Sequence, residues 1–159
     1  MIQSSTPIGV RMRLAWLAGV AAILPIAMYT AVAPSEAGAQ SPQPVLLASG
    51  QFGGVDSFHK GEGKARVFRL PDGALVLRLE EFKVTNGPDL YVYLSGHPAP
   101  RSGSQVHEGG ALEVARLKGN IGNQNYALPP NADLSKFKSV VIYCKQFSVV
   151  FSTAELSRS

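Results

Sequence analysis

Ala74-Leu75-Val76-Leu77-Arg78-Leu79-Glu80-Glu81 decides the fold. Leu75, Leu77 and Leu79 fall on one face of an extended chain and Val76, Arg78 and Glu80 on the other, so one face packs and the other stays wet. Just before it, Pro71-Asp72-Gly73 is a strong turn signal, and 64–70 is a second run of mixed alternation. The two runs are expected to pair as a hairpin.

Downstream, Asn86-Gly87-Pro88-Asp89 reverses the chain, with Gly87 available for positive φ and Pro88 fixing the next step. In Leu90-Tyr91-Val92-Tyr93-Leu94 the aliphatics share one face and the tyrosines the other, so neither face is free for solvent and a doubly covered strand is expected. The stretch 97–110 reads as a surface loop, 112–117 as a strand, and 119–126 as a turn-forming run before a short strand ended by Pro129-Pro130. One helical turn is expected at 133–137. The segments 140–144 and 147–151 are too apolar for a free edge and should form core strands. With turn residues recurring at the spacing of short antiparallel strands, the expectation is all-β: a single compact antiparallel β-sandwich of about eight short strands.

Upstream, Arg11 and Arg13 precede nineteen uncharged residues, 14–32, and Ala37-Gly38-Ala39 stands before Gln40. A positive start, an apolar run and an A-x-A site read as a signal peptide over 1–39. The alternative is a membrane anchor at 14–32, since nineteen residues is near the length that spans a bilayer, although Pro25 weakens such a helix. Either way the domain is expected outside the cytoplasm, as a secreted, periplasmic or membrane-tethered protein. A linker is expected at 40–49, beginning Gln40-Ser41-Pro42-Gln43-Pro44, and the domain at 50–157.

The 120 residues from Gln40 hold one core and too little for two. Their 13 Lys and Arg against 10 Asp and Glu are spread along the chain, which gives no footprint for nucleic acid. Cys144 is the single cysteine, so no internal disulfide exists and stability must come from burial. It has the parity of Val140 and Ile142, which turns its sulfur inward with them. Two readings compete: a packed thiol acting as a small hydrophobe, or a redox residue shielded from the oxidants of its compartment. Lys145 points to the other face and should do little to the thiol. His59 is the candidate partner, because imidazole ligates metals and haem iron and Asp56 can orient it; the plainer reading is a turn residue. His97 and His107 fall in the loop, and no metal-ligand spacing, nucleophile elbow or phosphate loop is present, so no catalytic constellation is visible. Tyr91 and Tyr93 offer either a stacking surface or core packing, and Asn120, Asn123, Gln124 and Asn125 either a sugar site or turn chemistry.

Gly50-Gln51-Phe52, His59, Gly61, Gly63, Val76 to Glu80, Asn86-Gly87-Pro88-Asp89-Leu90, Leu117 to Tyr126 and 140–151 ending in Ala154 together resemble the DM-thirteen domain. That electron-transfer domain is found beside DOMON domains in animal Skeletor-type proteins and alone in many bacterial exported proteins. The resemblance runs from about Gly50 to Leu156. It implies a β-sandwich-like fold and a signature cysteine, here Cys144, acting as a bare thiol or as a ligand to a prosthetic group such as haem, with His59 as second candidate ligand. It also implies a redox partner met in trans. The competing function is a non-catalytic cell-envelope binding or adhesion module that uses the tyrosines and the Asn-Gly loop, with Cys144 only structural.

Overall fold

A computed structural model describes residues 41–159. The expected signal or anchor at 1–39 lies outside them. Among the described residues no helix is long and apolar enough to cross a membrane.

The domain is all-β and antiparallel. Its strands are β1 (Val45–Gly54), β2 (Gly61–Arg69), β3 (Leu75–Val84), β4 (Leu90–Ser95), β5 (Ala111–Arg116), β6 (Gln124–Leu128), β7 (Ser139–Cys144), β8 (Val149–Glu155) and β9 (Ser157–Arg158). They follow the order β5-β4-β7-β8-β1-β2-β3-β6, with β9 on β1, and the two end strands meet, so the sheet curls almost into a barrel. The bend is made by β1: its first part pairs with β2, while Phe52, Gly53 and Gly54 pair with Ala154, Thr153 and Ser152 of β8. Gly50 stands where the strand crosses over. A Cβ there would lie 2.2 Å from the Glu155 carbonyl oxygen, a contact that only glycine avoids.

The expected hairpin is β2–β3, with Gly73 at φ 87° in its turn. Leu75, Leu77 and Leu79 are buried, as their alternation requires, but the buried positions that follow are Phe82 and Val84. The parity changes at Glu81, whose φ of 50° marks a bulge opposite the register shift between Glu62 and Lys64. That bulge explains the uneven alternation of β2.

Three expectations are corrected. The folded body reaches back to Val45, into the segment read as linker, because Leu46 and Ala48 find partners in Phe68 and Val67. The last long strand is Val149–Glu155 rather than 147–151; Phe147 is exposed in a turn whose Ser148 has φ 56°, a geometry that ends the ladder. The stretch 97–110 is not wholly a surface loop. It contains the short helix α1 (Gly103–His107), capped by Ser102, and its Val106 is fully buried.

The β4–β7 layer is covered on both faces. Leu90, Val92, Leu94, Val140, Ile142 and Cys144 join the main core, while Tyr93, Val141, Tyr143 and Val150 pack with Val106 in a second, outer cluster. Ser95, Ser139 and Ser152 are buried, and each hydroxyl donates to a backbone carbonyl: Val106, His97 and Gly53 respectively. Every buried side-chain nitrogen and oxygen among the described residues has a hydrogen-bond partner.

Candidate functional site

Strand directions bring four connections to one end of the sheet: 55–60, 85–89, 117–123 and 145–148. They are tied to one another. Thr85 N–H donates to the Lys60 carbonyl at 3.0 Å, Val84 N–H to Asn120 at 2.9 Å, Lys145 N–H to Asp89 at 3.1 Å and Leu117 N–H to Leu90 at 2.8 Å. The Asn120 side-chain amide also donates to the Asn86 side chain. Segments far apart in sequence thus form one rim.

Cys144 closes β7 beneath this rim, with Leu90 and Val149 as its cross-strand neighbours. It is free and 0% exposed. Its membership of the main core, with Val140 and Ile142, confirms the inward sulfur. Lys145 turns outward, where its ammonium donates to Glu113 at 2.9 Å and sits 4.4 Å over the Tyr91 ring. The strand's two-residue period therefore separates that charge from the thiol.

His59 lies in the 55–60 connection. Asp56 shapes it: one carboxylate oxygen accepts from the Phe58 and His59 N–H groups, each at 2.7 Å, and the other from His59 Nδ1 at 2.7 Å. Asp56 is thus both the turn-former and the orienter, and Nε2 has no hydrogen-bond partner among the described residues. The ring packs edge-on against Phe151, centroids 4.4 Å apart. Phe151 in turn lies where a Cβ on Gly87 would come within 2.8 Å of it, so Gly87 serves by leaving room for Phe151 and Leu90 and not by positive φ. Phe151 is the rim residue that sequence reasoning missed. Its inward direction depends on the register shift between Ile142 and Tyr143, which no alternation reveals.

The His59 side-chain hydrogen bond, ahead of the backbone ones, holds the Asp56 carboxyl at about 2. The folded value is below the ordinary 3.8, so this stabilisation is complete above 3.8 and is lost as pH falls through about 2. Carboxyl NMR should give Asp56 a midpoint near 2, moving up in His59→Ala; a wild-type midpoint at 3.8 would show the contact absent.

The structure brings His59 and Cys144 to the same end without joining them by a hydrogen bond. A haem held by Cys144 needs an open slot beside the sulfur. A cleft of about 500 Å³ does open near the rim, but its walls include Lys60, Glu62, Lys83 and Thr85, and neither Cys144 nor His59. The residues as placed do not fit a haem ligated by Cys144. Among the described residues no group of three His, Cys, Asp or Glu side chains is placed to hold a metal ion.

The amide run is spent on its own structure. Asn123 accepts from Glu81 N–H, Asn125 from Arg78, and Gln124 accepts from the Tyr126 hydroxyl and donates to the Gly119 carbonyl. Tyr93 is buried in the outer cluster and Tyr91 lies under Lys145. His107 packs on Tyr93 and Tyr143, each with centroids 6.2 Å apart, and His97 accepts from Ala99 N–H. These contacts tie the groups into the fold, while Asn123 and Asn125 remain exposed.

No curated protein and no solved structure matches the chain. A family model described as Electron transfer DM13 matches residues 51–156. That match takes in the rim connections and Cys144 beneath them, and by its extent the chain belongs to the electron transfer DM13 family.

Proposed function

We propose that the chain is an exported redox module in which Cys144 is the electron-exchanging group, working as a bare thiol, and in which the rim above it is where a partner in trans makes contact. Family membership supplies the coarse function, electron transfer. The observation that carries the finer reading is convergence: His59, Asn86, Gly87, Asp89, Asn120 and Cys144 meet at one end of the sheet although they span 86 positions of the chain. A partner has something to grip there. Phe58, Ile121 and Phe147, each on a different connection, are 81%, 73% and 62% exposed and are the apolar side chains that a partner at this end would cover.

One-electron oxidation of the lone Cys144 thiol gives a thiyl radical, with the electron passing to the partner as oxidant and the proton to water; return of one electron and one proton restores the thiol. With no solvent at Cys144 in the closed fold, the electron leaves through the packed strands but the proton has no outlet, and we place its release in a state with the 145–148 turn open. The turn is the natural place to open, since Cys144 is the last paired residue of β7 and Ser148 sits at positive φ.

Voltammetry of the purified domain tests this, alongside its visible spectrum. The expected result is a colourless protein with a redox wave that disappears in Cys144→Ala. A wave unchanged in that variant, no wave in the wild type, or a haem band lost with the cysteine would each overturn the bare-thiol reading.

A further inference from the structure

The outer cluster contains an arrangement that the Cys144 reading does not use. Tyr93, 6% exposed, donates its phenolic hydrogen to Glu113 Oε2 at 2.6 Å. The same oxygen accepts from Lys145 at 2.9 Å. The Tyr143 ring lies edge-on to Tyr93 at 5.5 Å between centroids, and His107 is edge-on to both. Val106 of α1 is buried in the same cluster, whereas the Glu113 side chain is 42% exposed. A ring kept from water is thus wired by one short hydrogen bond to a carboxylate that meets water.

We propose that Tyr93 and Glu113 form a second redox site, in which a high-potential one-electron oxidant takes an electron from Tyr93 while the phenolic proton passes to Glu113. The products are a neutral Tyr93 radical, a protonated Glu113 and the oxidant reduced by one electron. Return of one electron from a donor, with the proton moving back from Glu113, restores the start. The inference rests on the electron-transfer reading of the domain, and not on Cys144 as the carrier.

Three features favour moving electron and proton together. Burial and the bond to Glu113 push the Tyr93 phenol well above its usual range, so the ring does not ionise first. The bonds from Tyr93 and then Lys145 hold Glu113 below the usual carboxylate range, so it is ionised and able to accept. The O–H···O⁻ distance is that of a strong charge-assisted bond, short enough for the proton to cross without rearrangement. The Tyr143 ring packs edge-on against Tyr93 and helps keep water from it, on the residue before Cys144 but on the opposite face of β7. Packing alone would have been met by phenylalanine at Tyr93; the hydroxyl and its carboxylate are what phenylalanine would lack.

The test uses flash-generated ruthenium(III) polypyridyl as the oxidant and electron paramagnetic resonance as the readout, on wild type, Cys144→Ala, Tyr93→Phe, Glu113→Gln and Glu113→Asp. The expected result is a tyrosyl signal in wild type and in Cys144→Ala that is lost in Tyr93→Phe. Loss of the proton acceptor in Glu113→Gln should slow its formation by about 100-fold. Glu113→Asp should recover part of that rate. An undiminished signal in Tyr93→Phe, or a wild-type rate in Glu113→Gln, overturns the proposal. Absence of the radical with the Cys144 wave intact overturns this site and leaves the thiol reading standing; a Tyr93 radical without a Cys144 wave does the reverse.

Discussion

In the folded protein Cys144 is expected to react with a small alkylating reagent at least about a thousand-fold more slowly than in denaturant at the same pH. The sulfur is on the inner face of β7, fully buried between Leu90 and Val149 and packed with Val140 and Ile142. A reagent reaches it only after the strand end opens, and each 1.4 kcal/mol of opening cost is a tenfold reduction in rate. Freeing the end of a two-sided ladder and wetting its apolar neighbours costs about 4 kcal/mol or more, short of the roughly 5–15 kcal/mol of global unfolding. Paired alkylation rates with and without denaturant measure it. Near-equal rates would mean that the thiol is open to solvent, and both the burial and the gating built on it would go. A ratio near that of full unfolding would instead make the 145–148 turn too stable to serve as a gate.

Phe82→Ala is expected to lower stability by about 3–5 kcal/mol, the largest loss from any single truncation of the core. Phe82 is 1% exposed and packs edge-to-face on Phe52 with ring centroids 5.1 Å apart. Its place is fixed by the bulge at Glu81 just before it, and β1 bends between its two pairings at Phe52, so neither ring is free to follow if the other goes. Chemical denaturation with an unchanged m-value measures the loss. A loss below about 1 kcal/mol would show that the cavity collapses and that the bend is softer than its packing suggests.

The parts of the fold legible in the sequence are those where one periodicity runs unbroken. Leu75, Leu77 and Leu79 gave β3 its inner face, Pro71-Asp72-Gly73 gave its turn, and the two-faced pattern of Leu90–Ser95 gave a strand covered on both sides. Legibility stops at each break in period. The Glu81 bulge, the shift between Ile142 and Tyr143, and the positive φ at Ser148 move parity by one, and a single step moves every later side chain to the other face. Phe147 is misread for a different reason: it is apolar but belongs to the 145–148 turn, and so is exposed.

Cys144 was placed correctly because nothing interrupts Val140 to Cys144 in register with Leu90 to Leu94 except the one shift against β8. His59 was legible only as a partner of Asp56, since its meeting with Phe151 is made by pairing across 92 positions of chain. The same holds for Tyr93 and Glu113. Each residue is ordinary in its own strand, and only the register of β4 against β5, which sets Tyr93 opposite Glu113, makes them a pair.

Val45 enters the sheet beside Arg69, at the end opposite the 55–60 connection, and β1 then runs ten residues to Gly54 near the rim. At about 3.3 Å per residue its contour is roughly 30 Å, shortened by the bend at Gly50. The start of β1 and the Cys144 end of β7 therefore lie at opposite ends of the domain, so a label placed at Val45 stands clear of the rim and reports on neither His59 nor the 145–148 turn.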